Sequence, residues 1–250
     1  MFGALPAEVY GAGLVFCRVA ALVMLMPGFG DQTVPPRIRL SLAFILALAF
    51  YPVLRASIPE IPATVGGLAG NILIEIFVGL ALGTLMRMFM GALAVAGEAV
   101  SLQTTLSFAQ TANPGQAQPS ASLTTFLTLL GLTLIFATGL HHMFIGAIIR
   151  SFTLFPPGQP LPLNDFAQLA IRTFADTFTL GIQLAAPVIV FSLIFNIAAG
   201  FIGRVMPQFQ IFFVATPLSL LLGLSIFAFS LGVIGLVWID RFSQFLETLV

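Results

Sequence analysis

Residues 211–239 read IFFVATPLSLLLGLSIFAFSLGVIGLVWI, twenty-nine positions without an acidic or basic side chain. About 20 apolar residues in a helix cross a hydrocarbon layer of ~30 Å, so this run is long enough and apolar enough to be a membrane helix. It has company: 99–149 and 177–203 also lack Asp, Glu, Lys and Arg, and the run around the quoted stretch begins at 205. Of the 250 residues 59% are hydrophobic and 7% charged, where a soluble domain carries roughly 25% charged residues. So few charges cannot clothe a surface in water. In lipid the backbone must satisfy its own hydrogen bonds, which leaves helices or a closed barrel. The ten-residue alternating segments of a barrel do not occur. The fold class is therefore all-α, an integral membrane protein.

Working outward, Pro, Gly and charge divide the chain into apolar stretches at 9–26, 40–54, 61–100, 123–149, 178–202 and 211–239. We read 1–250 as a single membrane domain without short-period repeats. Two links stand out. Residues 103–122 are polar but uncharged, and 151–176 form an amphipathic surface link expected to hold a short helix near 164–173. The stretch 40–54 gives only fifteen uncharged residues, about 22 Å of helix, which is short for a crossing. Over six stretches Arg37, Arg39, Arg87 and Arg204 fall on one side and Arg55, Arg150, Arg172 and Arg241 on the other. The positive-inside rule then assigns no orientation. A chain that inserts this poorly is expected to need partners.

Several function classes are excluded. Residues 1–13 contain Glu8 and no Arg or Lys, so the positive n-region of a cleavable signal peptide is missing. Cys17 is the only cysteine, and all nine basic residues are Arg against nine acidic ones. No disulfide or CxxC pair is expected, and no basic patch for nucleic acid or lipid headgroups. His141 and His142 are adjacent and lack the i, i+4 spacing by which a helix presents two metal ligands. With no nucleophile, phosphate-loop or metalloprotease motif, the chain is expected to be no enzyme and to hold no cofactor or metal.

What remains are charges and small residues inside apolar stretches. Arg18, Glu75 and Glu98 are intramembrane ionisable residues, which are functional candidates by default. They read as a proton or substrate relay, or as ion pairs that fix helix docking. Docking is favoured because a relay needs several carboxylates or histidines at one depth. Gly79 and Gly83 form a GxxxG, a spacing that lets helix backbones approach closely in an apolar medium; Ala199 and Gly203 repeat it. The link 103–122 carries four glutamines, with breakers at Asn113-Pro114-Gly115 and Pro119. It is either an ordinary surface linker or a neutral segment lying in a wet protein cavity, where non-helical backbone at membrane depth is tolerated.

Taken together these segments resemble the FliR family, the flagellar type III export-gate subunit with SctT-type injectisome relatives. The resemblance begins at Arg18, continues through Pro27-Gly28-Phe29-Gly30, Val34-Pro35 and 37–43, and resumes at Glu75, Gly79, Gly83 and Gly97-Glu98. His141, Ser151-Phe152 and Pro156 follow, then Phe195-Asn196, Gly200, Arg204, Pro207-Gln208, Phe212, Pro217 and Gly223. The order and spacing hold over essentially the whole chain. Gln210, Ala215, Asn113 and Thr105 depart from the family's usual Asn, Gly, Asp and Gly.

The resemblance implies kinked helical hairpins that form part of a multi-subunit helical export gate. Implied partners are FliP-type and FliQ-type membrane subunits, an FlhB-type switch protein, unfolded export substrates in transit and membrane lipid. The implied location is the bacterial inner membrane at the flagellar basal body, with the gate displaced toward the periplasm. The polar link corresponds to a plug, which makes Phe108, Ala109, Gln110, Thr111, Ala112, Asn113, Pro114, Gly115, Gln116, Ala117 and Gln118 plug residues. Assembly residues are Arg18, Pro27, Gly28, Glu75, Gly79, Gly83, Glu98, Arg204, Pro207 and Gln208. The competing reading is a secondary transporter for a small solute with Arg18, Glu75 and Glu98 as its coupling site, broken helices at Pro207 and Pro217 being a transporter feature.

Overall fold

The computed structural model describes residues 5–31, 33–106, 122–160, 163–206, 208 and 211–249. These contain seven α-helices: α1 (Leu5–Leu25), α2 (Pro36–Leu54), α3 (Val65–Gln103), α4 (Ser122–Ala137), α5 (Leu140–Leu154), α6 (Leu163–Val205) and α7 (Ile211–Leu249). A single 3₁₀ turn, Arg55–Ser57, follows α2, and no strand occurs among the described residues. Five helices are long and apolar enough to cross a membrane, or six spans if α4 and α5 together make one. The all-α expectation holds.

Three boundaries differ from the sequence reading, each for a physical reason. The stretch expected at 40–54 starts instead at Pro36, which occupies the first helical turn, where a missing N–H costs nothing. Arg37 and Arg39 therefore lie on the helix, and with the 3₁₀ turn the apolar segment reaches 22 residues. Arg39 donates to the Gly30 and Val34 carbonyls at 3.2 and 2.9 Å, using its charge to close the α1–α2 turn. The short helix expected near 164–173 is the beginning of α6, which runs unbroken for 43 residues. Asp165, Arg172 and Asp176 are exposed, while Phe166, Thr173, Thr177 and Leu180 are buried. Charge here marks an outward face, not a helix end.

The third difference is the stretch 123–149, which breaks at Thr138-Gly139 into α4 and α5. Gly139 takes φ +75°, left-handed backbone that only glycine adopts without steric cost. Pro217, expected to break a helix, lies inside α7, and Pro187 inside α6, without ending either.

The chain forms two compact units: Met1–Phe89 with Phe136–Phe174 and Ser243–Val250, and Met90–Ile135 with Ala175–Phe242. In the first, α1 and α2 pack antiparallel. Phe16 meets Phe44 edge-on at 6.0 Å, and Glu8 near the start of α1 accepts from Tyr51 and Arg55 at the end of α2. Leu14, Val15, Val19, Leu22 and Val23 of α1 are buried at its core. In the second, Trp238 is fully buried and stacks on Phe242 at 5.1 Å. Gly131 of α4 lies so close to Leu93 of α3 that a Cβ would stand 2.2 Å from its Cδ1.

Substituting Gly139 tests the break. A Cβ there meets only His142 Nδ1 at 3.5 Å, so Gly139→Ala isolates the backbone term. We expect a loss of about 1–2 kcal/mol, and less for Gly139→Asn, because Asn tolerates left-handed φ. The measurement is thermal unfolding of the purified protein, and an unchanged midpoint for Gly139→Ala would contradict the assigned backbone.

Candidate functional site

The first unit is organised around Arg18, at the middle of α1 and completely buried. Its Nε donates to Glu75 Oε2 at 2.6 Å and its Nη2 to Glu75 Oε1 at 3.0 Å, the two-pronged geometry in which a guanidinium and a carboxylate pair most strongly. Nη1 donates to the Ser151 carbonyl at 2.7 Å and lies 3.4 Å from its hydroxyl; Nη2 also donates to the Phe155 carbonyl at 2.8 Å. The guanidinium carbon sits 4.0 Å from the Phe152 ring centroid. All five N–H groups of an arginine are thus committed. The carbonyls of 151 and 155 belong to the C-terminal end of α5, where the helix dipole favours a cation. One side chain joins α1 to α3 and to the end of α5.

Glycine brings the pair together. A Cβ on Gly79 would lie 2.4 Å from the Arg18 carbonyl oxygen and 2.8 Å from Ala21 Cβ; one on Gly83 would lie 2.9 Å from Leu25 Cβ. Without side chains at these two positions α3 rests directly on the α1 backbone. Glu75, one turn before Gly79, then faces Arg18. A cavity of about 250 Å³, lined by Arg18, Ile74, Val78, Phe155, Pro156 and Gln159 among others, adjoins the pair.

Of the remaining residues singled out from the sequence, Pro27 is buried and Gly28 takes φ +87° in the turn after α1. Glu98 is exposed on α3, in the second unit, so the three buried charges of the sequence reading are one pair and one separate carboxylate. Arg204 and Gln208 are exposed at the junction of α6 and α7. Pro207 and the plug residues 108–118 lie outside the described residues. The His141 and His142 rings lie 4.1 Å apart, and among the described residues no three His, Cys, Asp or Glu side chains are grouped as for a metal ion.

Sequence reasoning missed the α5 carbonyls and the Phe152 ring as partners of Arg18. Backbone acceptors leave no trace in residue identity. It also missed a polar edge in which Tyr10 accepts from Asn71 at 2.7 Å while Glu8 receives Tyr51 and Arg55. Both tyrosines of the chain are there, and their position near the ends of apolar stretches, where interfacial tyrosines collect, was the available signal.

Residues 9–245 match the family described as bacterial export proteins, family 1. The chain is 55% identical over 240 residues to the flagellar biosynthetic protein FliR of Caulobacter vibrioides, covering 96% of each chain. It is 30% identical over 237 residues to the FliR of Aquifex aeolicus (94% of this chain, 90% of the relative). To that of Escherichia coli K12 it is 32% identical over 212 residues (84% and 80%).

The hub makes a non-additive prediction. Glu75→Leu or Arg18→Met alone leaves a buried charge unpaired, and each should cost about 3–5 kcal/mol. The double substitution removes both charges and should recover a large part of that loss. Folded protein recovered from membranes and its unfolding midpoint are the readouts. Additive losses in the double variant would show that the pair is not coupled.

Proposed function

The chain belongs to the FliR family of bacterial export proteins, and on that premise we propose that it is a structural and gating subunit of the flagellar type III export channel. It is a non-enzymatic membrane component of the flagellar export apparatus. In the proposed arrangement its helices assemble with FliP-type and FliQ-type subunits and contact an FlhB-type switch protein. The gate sits in the inner membrane at the flagellar basal body, displaced toward the periplasm. Residues 108–118 act as the plug that closes the channel to everything but an exporting chain.

The observation that carries the assembly reading is the far end of α6. None of the residues 193–205 is buried, although Leu193, Ile194, Ile197, Phe201, Ile202 and Val205 are among them. An apolar helix segment with no buried residue requires lipid or protein around it. Here it also presents Asn196 and Arg204 outward, groups that hydrocarbon solvates poorly. Partner helices accommodate both kinds of group. Length supports the same reading: α3, α6 and α7 have 39, 43 and 39 residues. At ~1.5 Å per residue they reach about 58–64 Å, roughly twice a ~30 Å hydrocarbon layer.

Solute transport through Arg18, Glu75 and Glu98 finds no comparable support. Arg18 has no donor left for a solute, and Glu98 is an exposed residue of the second unit.

Two measurements test the proposal. Affinity purification from membranes in mild detergent should recover FliP-type and FliQ-type chains with this one; recovery of a lone chain or a homo-oligomer would overturn the assembly reading. Deletion of residues 108–118 should raise the ion conductance of membranes containing the assembled gate. Unchanged leakage in a gate that still assembles would remove the plug role.

A further inference from the structure

α2 has two unlike faces. Its buried residues, Ala43, Ala47, Phe50 and Leu54, recur every three or four positions and turn inward. The opposite stripe holds Arg37, Ser41, Ile45, Leu48 and Arg55, all exposed. Arg55 keeps right-handed helical backbone at the end of α2, with φ −51° and ψ −38°. It lies 18 positions after Arg37, which at 3.6 residues per turn is about five whole turns. The two arginines therefore stand at opposite ends of one stripe. Between them, residues 40–54 carry no charge. The hydroxyl on the stripe, that of Ser41, donates to the Ile38 carbonyl of its own helix at 2.9 Å and needs no outside partner.

The span has the size of a bilayer. At ~1.5 Å per residue the arginines are about 27 Å apart along the axis, against a hydrocarbon thickness of ~30 Å. A long arginine side chain lays its stem on apolar surface and carries its charge outward, which makes up the difference. Among the described residues Arg37 has no hydrogen bond or ion pair, whereas Arg39 beside it is spent on the Gly30 and Val34 carbonyls. Arg55 is 65% exposed, and of its donors Nη2 is engaged, by Glu8. Tyr51, one turn before it, also donates to Glu8 and marks the depth at which interfacial tyrosines collect.

Charge and side-chain size together select lipid over a partner helix as what covers this face. A phospholipid bilayer presents anionic phosphates on both sides of an apolar layer, and the stripe is its complement: cation, apolar run, cation. Contacts between membrane helices favour small residues, as at Gly79 and Gly83. Residues 36–57 contain no glycine, and Ala43 and Ala47 are on the buried side. The end of α6 is the contrast, since there Asn196 and Arg204 interrupt an exposed apolar segment.

We propose that the exposed stripe of α2 is a phospholipid-binding face. Acyl chains lie along it from Ile38 to Val53, both exposed, and Arg37 and Arg55 hold phosphates of the two leaflets. α2 thereby spans the bilayer with this face on lipid and sets the depth of the chain. The inference rests on the membrane location of the protein and not on the plug.

The test uses the assembled gate in vesicles, in a Cys17→Ser background because Cys17 is the only cysteine. A fluorescent label is attached at Leu48→Cys or, on the end of α6, at Ile197→Cys, and quenching by phospholipids with brominated acyl chains is measured. The label at position 48 should lose emission severalfold, while the label at 197, which the assembly reading covers with partner helices, should lose little. An assembled gate whose label at 48 is not quenched has protein on this face, and the proposal is overturned. Quenching at both positions upholds the lipid face of α2 and rejects the partner reading of α6. The headgroup role is tested by the unfolding midpoint of the purified gate in detergent with added phosphatidylglycerol, or with a glucosyl diacylglycerol of the same chains that lacks the phosphate. Phosphatidylglycerol should stabilise at severalfold lower concentration, and Arg37→Gln/Arg55→Gln should remove most of that difference. A difference that survives undiminished overturns the assignment of the two arginines. If the double variant does not assemble, Arg37→Gln alone decides, and an undiminished difference there is the overturning result.

Discussion

A guanidinium held away from water is tolerable only where every one of its donors finds an acceptor, and the first unit is arranged to meet that demand at Arg18. Glu75 takes two donors; the α5 end, through Ser151 and Phe155, takes the rest. A buried ion pair is a poor source of net stability compared with apolar packing of the same volume. Its value lies in register. Sliding α1 by one residue against α3 turns Arg18 about 100° around its helix, out of reach of Glu75 and of the α5 carbonyls. The wrong register then carries an unpaired buried charge, while the right one carries none. Apolar helices alone discriminate weakly between neighbouring registers, since Leu, Val and Ala fit many neighbours nearly as well.

The glycines are the geometric half of the same device. Gly79 and Gly83 let α3 lie against the α1 backbone, and close approach is what brings a short Glu side chain within hydrogen-bond distance of Arg18. A side chain at Gly79 would push the helices apart and stretch the bidentate pair. Ion pair and small-residue contact therefore specify one arrangement twice, by charge and by shape. The α1–α2 turn adds a third, weaker tie through Arg39.

How far the sequence discloses this depends on the kind of signal. Apolar runs disclosed the helices, because an uncharged run of twenty-nine residues has few other outcomes. Charge was a poor guide to where helices end: Arg37, Arg39, Asp165, Arg172 and Asp176 all lie within helices, since a charge on an exposed face needs no helix terminus. The break before α5 depends on the φ of Gly139 alone, and a glycine between Thr138 and Leu140 looks the same in a straight helix. Arg18 and Glu75 were visible as intramembrane charges, but their pairing across 57 positions was not separable from a role for Glu98. The acceptors on α5 were invisible, being backbone. The end of α3 was missed because Thr105, at φ +60°, is a residue type that argues against the conformation it adopts.

The ion pair at Arg18 differs in strength from the neutral contact at the end of α3. Charge-assisted bonds to Arg18 are among the strongest non-covalent contacts available, and breaking one partner strands a buried charge. Such a site suits a joint that keeps its place. The bonds from Asn196 to Ser192 and from Ser192 to Gln103 involve no charge, and their members find water or each other at small cost when separated. Had a neutral contact of that kind been placed between α1 and α3, the register of the first unit would rest on packing alone.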